Sequence, residues 1–160
     1  MFDLDDTPTY AGQTSNLRSR LRQHFVRQDS SVSSYGRLDP WDIASVEWWT
    51  TDQTDKAERD LLNTFQPYLN FPAESGSQPI SGEFDFEEPD GKFALFSDEE
   101  QDFRRQPYNR VKQKIEHINR MVDKIKYANH SDDTRQTLYE HKRILEENLQ
   151  DFLGVDDIPE

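Results

Sequence analysis

The segment TYAGQTSNLRSRLRQHF, residues 9–25, joins a short stretch with a tyrosine and a glycine to a run of closely spaced arginines. A helix is predicted to start after Asn16, because an asparagine side chain can accept a hydrogen bond from a free N–H of the first turn. Leu17, Leu21 and Phe25 recur every four residues, so they should form its buried side. The segment therefore predicts an extended stretch followed by an amphipathic helix that reaches about residue 27.

Positive charge is concentrated on this helix. Four arginines and no acidic residue occur between positions 16 and 27, although the chain of 160 residues has a formal net charge of -13. At 100° per residue, Arg20 and His24 lie together on one flank, and Arg18 and Arg22 lie on the other. An acidic protein thus carries a strongly basic helix near its N-terminus.

Composition limits the class of protein. Only 32% of the residues are hydrophobic and 32% are charged, so one large core is not expected, but 12% are aromatic, which argues against disorder. There is no cysteine, which excludes a disulfide framework and a thiolate metal site. Residues 1–10 do not resemble a secretory signal, and no apolar run approaches the roughly 18 residues of a membrane span. The sequence predicts a cytoplasmic protein without a membrane segment.

The negative charge is unevenly distributed. Residues 104–126 carry a net charge of +6, whereas residues 1–70, 71–103 and 127–160 carry -4, -9 and -6. Solubility is the simplest explanation of the acidity, and adaptation to high salt or mimicry of a polyanionic ligand are alternatives. In the last case the segment 71–103 would occupy a nucleic-acid groove as an autoinhibitor.

The N-terminal part predicts an α+β fold. Short extended segments are expected at residues 2–4 and 9–12, and DIASVEWW, residues 42–49, reads as a strand from its β-branched and aromatic side chains. A second helix should run from about Asp52 to Gln66, since the residue before Pro67 disfavours helical geometry. Residues 1–72 are therefore predicted to form a small antiparallel β-sheet flanked by helices.

The remainder is predicted to be a linker and a helical hairpin. Residues 73–103 read as an acidic linker, in which EFDF and KFALF could form a β-hairpin. Residues 104–154 should form an antiparallel αα-hairpin that ends at Gly154, with 155–160 as a tail. The apolar seams expected to hold the two helices together are Tyr108, Val111, Ile115, Ile118, Val122 and Ile125, and then Leu138, Leu145, Leu149 and Phe152.

The basic helix of the hairpin allows three interpretations. Its charged face could simply be solvated, it could contact the DNA backbone through residues such as Arg110 and Lys114, or an exposed part of its seam could form a homodimer. Three histidines of this region have no spacing typical of metal ligands and are expected at the surface: His117, His130 and His141.

Glu58 stands out in the second predicted helix. It shares a face with Leu61, Leu62 and Phe65, which a helix normally buries. An unpaired carboxylate there would cost several kcal/mol or take up a proton. Two explanations are open: a structural ion pair, with Arg20 as the candidate partner, or a bound divalent cation.

The pattern as a whole, over roughly residues 1–72, resembles the GIY-YIG nuclease superfamily. YAG stands where that family has its second triplet, an arginine follows the tyrosine by ten residues and a histidine by fourteen, and a glutamate and an asparagine complete the motif. The residues at these positions are Tyr10, Ala11, Gly12, Arg20, His24, Glu58 and Asn70.

The resemblance implies hydrolysis of DNA phosphodiester bonds with one divalent metal ion, Mg²⁺ or another such as Mn²⁺. It implies that Glu58 binds the metal, that Arg20 stabilises the phosphoryl charge and that Tyr10 helps to activate the attacking water. His24 would contact phosphate or relay a proton, and Asn70 would orient the strand ends or the glutamate. Contacts with DNA are expected from Gln13, Arg18 and Arg22.

This chain departs from the family pattern in two places. Gln13 stands where some members carry a lysine. The first triplet, GIY, is absent, since its tyrosine would precede Tyr10 by ten or eleven residues. We therefore expect either an active endonuclease whose coding sequence starts further upstream or a catalytically silent module that binds DNA or a protein.

Overall fold

The computed structural model describes residues 1–71, 88–126 and 130–155. Their elements follow the order β, α, β, α, β and then three helices. In chain order they are β1 (Phe2–Asp3), α1 (Leu17–Arg22, continued as a π-helical turn over Gln23–Arg27), β2 (Ile43–Trp48), α2 (Thr54–Phe65), β3 (Gly91–Ala94), α3 (Asp98–Arg104), α4 (Pro107–Ile125) and α5 (Asp132–Leu153). The α+β fold class predicted from the sequence is confirmed.

The sheet is antiparallel and has β2 at its centre. Phe2 of β1 lies opposite Ser45 of β2, and on the other edge Ala94 of β3 lies opposite the same serine. The strand predicted from DIASVEWW is therefore confirmed. KFALF also supplies a strand, which pairs with β2, whereas EFDF lies outside the described residues. The domain boundaries themselves stay a prediction.

Helix α1 begins where its cap predicts. The side chain of Asn16 accepts a hydrogen bond of 2.9 Å from the backbone N–H of Ser19. The helix widens into a π turn and ends at Gln28, whose φ of 52° is left-handed. Its apolar side is half-buried, and Phe25 packs against the central core.

The core joins the sheet to the C-terminal helices. It consists of buried side chains from the segment after α1, from β2, from the turn after α2 and from α5: Val32, Leu38, Ile43, Tyr68, Leu69 and Ile144. Residues 31–36 form short 3₁₀ turns that bury Val32. The hairpin is thus part of the same packed body as the sheet.

Helices α4 and α5 form the predicted antiparallel hairpin, with the rings of Tyr108 and Phe152 6.3 Å apart at one end. The prediction that the apolar seam is the buried face is wrong for half of the α4 residues: Val111, Ile118 and Ile125 are half-buried, whereas the other three are exposed. Tyr108, Ile115 and Val122 are 60%, 51% and 43% exposed. The face that packs on the sheet domain is instead mostly polar; its buried residues on α4 are Arg110, Lys114, His117 and Met121.

Ion pairs explain why this polar face is buried. The Arg110 Nη1 lies 2.7 Å from the Asp42 Oδ1, and the Lys114 ammonium contacts the other oxygen of the same carboxylate. Arg110 also binds Asp5 with two nitrogens. Burial alone would raise the pKa of Asp42, but Lys114 and Arg110 hold it far below its usual range.

The predicted contact of Arg110 and Lys114 with DNA is therefore wrong. Their side chains are 2% and 1% exposed, and their charges are neutralised inside the protein. Two further pairs extend the same interface toward solvent. Arg105 binds Asp6 with two nitrogens at 2.7 and 2.8 Å, and Arg120 lies 3.2 Å from Asp39.

His117 and His141, predicted at the surface, are 3% and 1% exposed. Their Nε2 atoms are 3.1 Å apart, and the His141 Nε2 also lies 2.9 Å from the carbonyl oxygen of Arg37. Because a carbonyl can only accept, the His141 Nε2 must carry the hydrogen. His117 then accepts at Nε2 and carries its hydrogen on Nδ1, 3.4 Å from Asp39. Both rings are neutral. A second proton would put a hydrogen on both Nε2 atoms and break the hydrogen bond between them.

Among the described residues, no helix combines the length and the apolar character that crossing a membrane requires.

The neutral histidines should make stability depend on pH. Burial, and then the charge of Lys114, lower the pKa of His117 to about 3. The unfolded chain, with a pKa of about 6.5, binds the proton first, so this stabilisation is present above pH 6.5 and is lost as the pH falls. Between pH 7 and 5 the free energy of unfolding should fall by about 2 kcal/mol less in His117→Gln than in the wild type, as measured by urea unfolding.

The wild type must be compared with His117→Gln because the titration of Asp3 changes the free energy of unfolding in the opposite direction. Burial, and then the charge of Asp42, raise the pKa of Asp3 to about 7. Asp3 therefore ionises in the unfolded chain at a lower pH than in the folded protein, which lowers the stability of both proteins as the pH rises toward 7. Parallel pH profiles for the wild type and His117→Gln would contradict a neutral His117.

Candidate active site

A groove of about 730 Å³ lies between the start of the chain, α1, β2 and α2. The residues that line it all lie between Met1 and Pro67, so the hairpin takes no part in it. Four of the five predicted catalytic residues are among them: Tyr10, Arg20, His24 and Glu58. The fold therefore brings together side chains that are up to 48 positions apart in the chain.

Arg20 projects from α1 toward Tyr10. Its Nη2 donates a hydrogen bond of 3.2 Å to the phenol oxygen, and its Nη1 donates one of 3.3 Å to the Gln23 Oε1. Its Nε is buried and has no partner. Within the part of the chain that the structure describes, this half-buried guanidinium forms no ion pair with a carboxylate.

Gly12 leaves the space that the Tyr10 phenol occupies. A Cβ at residue 12 would lie 2.5 Å from the hydroxyl oxygen and 2.8 Å from the Cζ of that ring. The phenol thus folds back over its own loop, and any other residue at position 12 would push it away. The glycine is required here for space.

Glu58 points from α2 to the loop after Gly12. Its Oε1 accepts the backbone N–H of Gln13 at 3.2 Å, and its Oε2 accepts the Gln13 side-chain amide at 3.1 Å. The proposed ion pair with Arg20 is therefore wrong, and the carboxylate is half-buried rather than buried. The same amide nitrogen donates to the Asp55 Oδ1 at 2.8 Å.

Asp55 was missed in the sequence analysis. It lies three residues before Glu58, which places the two carboxylates on neighbouring positions of one helix face. That spacing was visible in the sequence. What the sequence did not show is that the Gln13 amide bridges the two carboxylates.

Asn70 holds the backbone of the same loop. Its Nδ2 donates to the Ala11 carbonyl at 2.9 Å, and its Oδ1 accepts the Ala11 N–H at 2.8 Å. It is not among the residues that line the groove. Its contacts are those of a residue that positions Tyr10 and Gln13 rather than one that touches a substrate.

His24 is 1% exposed, and its ring meets the Tyr10 ring edge-on at 5.1 Å. Its Nδ1 lies 2.9 Å from the Ser30 Oγ, which lies 2.8 Å from the Ser33 Oγ. Ser33 in turn donates to the carbonyl oxygen of His24. Because this chain ends on a carbonyl, each hydroxyl donates away from the ring, and the His24 Nδ1 must donate to Ser30.

The tautomer of His24 follows from that direction. Its Nε2 carries a lone pair and is buried without a partner. Burial, and then the positive charge of Arg20, lower the pKa of His24 to about 4, so the ring is neutral at pH 7. Nothing in the local sequence indicated the two serines that fix this state.

The predicted DNA contacts separate into two groups. Arg18 and Arg22 are exposed on α1, and Gln13 is exposed while bound to the two carboxylates. Their contact with DNA stays a prediction. Arg110 and Lys114 are buried at the hairpin interface, as described above.

The donor set suits a hard divalent cation. Among the described residues there is no group of three or more histidine, aspartate or glutamate side chains that could enclose a metal ion. Glu58 and Asp55 nevertheless offer carboxylate oxygens at an open site, and Mg²⁺ commonly keeps several waters and uses one or two carboxylates. The residues present therefore fit such an ion.

Comparison with known proteins agrees with this site. Residues 1–70 match the family model described as the GIY-YIG catalytic domain. The UvrABC system protein C of Synechococcus sp. (strain CC9311) is 36% identical over 73 residues, and those of Synechococcus sp. (strain CC9605) and Prochlorococcus marinus (strain MIT 9211) are 34% and 30% identical. Each match covers 44% of this chain and only 11% of the relative. No solved structure matches the chain with significance.

Unfolding measurements can test whether Gly12 is needed to make room for the Tyr10 ring. Gly12→Ala should lower the free energy of unfolding by about 1–3 kcal/mol, the usual cost of overpacking, because the new methyl group meets the Tyr10 hydroxyl. In a Tyr10→Ala background the same substitution should cost little, since the obstructing ring is gone. Urea unfolding of the four proteins checks this, and an equal cost in both backgrounds would show that the phenol is not the obstacle.

Proposed function

We propose that this protein is a metal-dependent DNA endonuclease that hydrolyses phosphodiester bonds in the groove, because residues 1–70 match the model of the GIY-YIG catalytic domain. The single observation that carries the proposal is the state of Arg20. Its guanidinium is half-buried, faces the Tyr10 phenol, and has no carboxylate to neutralise it in the described residues. A phosphate is the anion that this arrangement is suited to accept.

Arg20 supplies electrostatic stabilisation. A phosphoryl group gains negative charge as the attacking oxygen approaches, and a fixed cation at that point lowers the barrier. The guanidinium is held in place by Gln23 and Tyr10 before any substrate binds. Little reorganisation is therefore needed when the phosphate enters.

Glu58 is the proposed metal ligand, with Asp55 beside it. A bound divalent ion, Mg²⁺ or Mn²⁺, would supply Lewis-acid polarisation of a phosphoryl oxygen. The Gln13 amide already donates to both carboxylates. This residue holds the two oxygens in place while contributing no charge of its own.

Tyr10 and His24 are the proposed proton carriers. The phenol oxygen accepts from Arg20, so its own hydrogen is available to a water or to a phosphate oxygen. The Nε2 of His24 carries a lone pair, because the other ring nitrogen donates to Ser30. Burial and the charge of Arg20 lower the pKa of His24 to about 4, so the ring would pass a proton on rather than retain it.

The hairpin has a separate proposed role. Its buried face is used inside the protein, whereas Tyr108, Ile115 and Val122 remain exposed at seven-residue spacing. Of the two roles predicted for the hairpin, this favours homodimer formation over DNA positioning. Sedimentation of the full chain tests it: a monomer at micromolar concentration would contradict it.

The nuclease proposal predicts nicking of a supercoiled plasmid in the presence of Mg²⁺ or Mn²⁺. Glu58→Ala and Arg20→Ala should each lower the rate about a hundredfold or more, because each removes a group that acts on the transition-state charge. Glu99→Ala removes an exposed carboxylate from α3, outside the groove, and should leave the rate unchanged. Circular dichroism confirms that the variants fold.

Undiminished nicking by Glu58→Ala would contradict the proposal. If the wild-type chain binds DNA through Arg20 but does not cut it under any metal condition, the protein is instead a catalytically silent binding module, the alternative function.

A further inference from the structure

The groove is larger than a phosphate and a metal ion require. Its volume of about 730 Å³ lies in the range of roughly 300–1,000 Å³ that is typical of pockets for whole small molecules. Its lining includes Tyr10, Arg20 and Glu58, which the proposed chemistry uses. It also includes apolar residues that have no role in that chemistry; we call them the apolar wall, and the main ones are Phe2, Trp48, Leu61 and Phe65.

The apolar wall begins next to the proposed metal ligand. Leu61 follows Glu58 by one turn of α2, which is about 4.5 Å along the helix axis, and Phe65 follows by two turns. The rings of Phe65 and Phe2 meet edge-on at 5.8 Å. A molecule bound at Glu58 and Arg20 would therefore have an aromatic surface within reach of its next chemical group.

Trp48 forms a rigid end of the wall. A Cβ at Gly91 would lie 2.0 Å from the indole Cζ2, so the ring packs directly on the backbone of β3. Phe93 of the same strand lies 6.1 Å from the indole ring. The half-buried indole is thus held from behind, and a glycine on β3 makes room for it.

We infer that the apolar wall receives an unpaired nucleobase next to the scissile phosphate, so that the enzyme favours DNA with an unpaired base at the cleavage position. The phosphate and the base of one nucleotide are joined through a short sugar, which matches an uncompensated guanidinium beside an aromatic surface. In a paired duplex the bases are stacked inside, and only phosphate and sugar could enter the groove. A base that is already unpaired reaches an aromatic pocket at the lowest cost, and aromatic side chains stack bases of any sequence.

This inference rests on the proposed nuclease function, and its test separates the two. Two end-labelled duplexes are compared that differ only by a single-base bulge. The wild type should cut the bulged DNA at least about fivefold faster, the lower end of what stacking one base on an aromatic ring contributes. Phe65→Ala and Leu61→Gln should bring the ratio close to one, and Phe152→Ala, which removes an exposed ring of α5, should leave it unchanged.

Each outcome is informative. Equal rates on both duplexes, or a ratio that survives both wall variants, would overturn the unpaired-base inference while the nuclease proposal stands. If neither DNA is cut with Mg²⁺ or Mn²⁺, the nuclease proposal fails instead. Fluorescence anisotropy of the two DNAs then decides the inference alone: a preference for the bulge that Phe65→Ala abolishes supports it, and equal affinities overturn it.

Discussion

The pairing of Asp42 with Arg110 and Lys114 holds the two halves of this molecule together. Asp42 directly precedes the central strand, and both cations come from one face of α4. With Asp5, which binds the same arginine, two anions balance two cations in a buried cluster. Burying charges is costly unless each is paired, so the loss of any one partner would leave an uncompensated charge at this interface. Two cations of the basic segment 104–126 therefore form ion pairs inside the fold.

That use of charge leaves α1 as the basic element beside the groove. Arg18 and Arg22 are exposed there, and Arg20 enters the groove without an acidic partner in the described residues. Two residues with no direct part in the proposed chemistry fix this arrangement. Asn70 holds the backbone of Ala11, and Gly12 leaves room for the phenol. The site thus depends on one short loop more than on any long element.

Local patterns predicted the N-terminal fold well. The Asn16 cap, the strand of residues 42–49 and the end of α2 before Pro67 all depend on neighbouring residues, which the sequence shows directly. The family resemblance identified the groove residues because their order along the chain is itself the family motif. It could not show that Glu58 binds Gln13, because that contact depends on how the loop folds back.

The hairpin shows the limit of periodicity. A spacing of three and four residues shows which side chains share a face, but not which of two faces meets the rest of the protein. The spacing predicts that the apolar stripe with Ile115 is buried, whereas Lys114 and His117 are buried instead and lie against acidic groups from distant positions. The sequence shows that the segments carrying these groups are acidic. It does not show that their carboxylates lie opposite α4 in the folded protein.

If the protein binds DNA as proposed, α1 and not the hairpin should present the positive charge that contacts the phosphates. The salt dependence of DNA affinity tests it most directly, with Arg22→Gln on α1 and Lys112→Gln on α4 as a matched pair of exposed cations. Each phosphate contact contributes about 0.9 to the slope of log affinity against log salt. If α1 contacts the DNA backbone, Arg22→Gln should reduce the magnitude of this slope by about that amount. Lys112→Gln should leave it unchanged. The reverse result would contradict this role of α1.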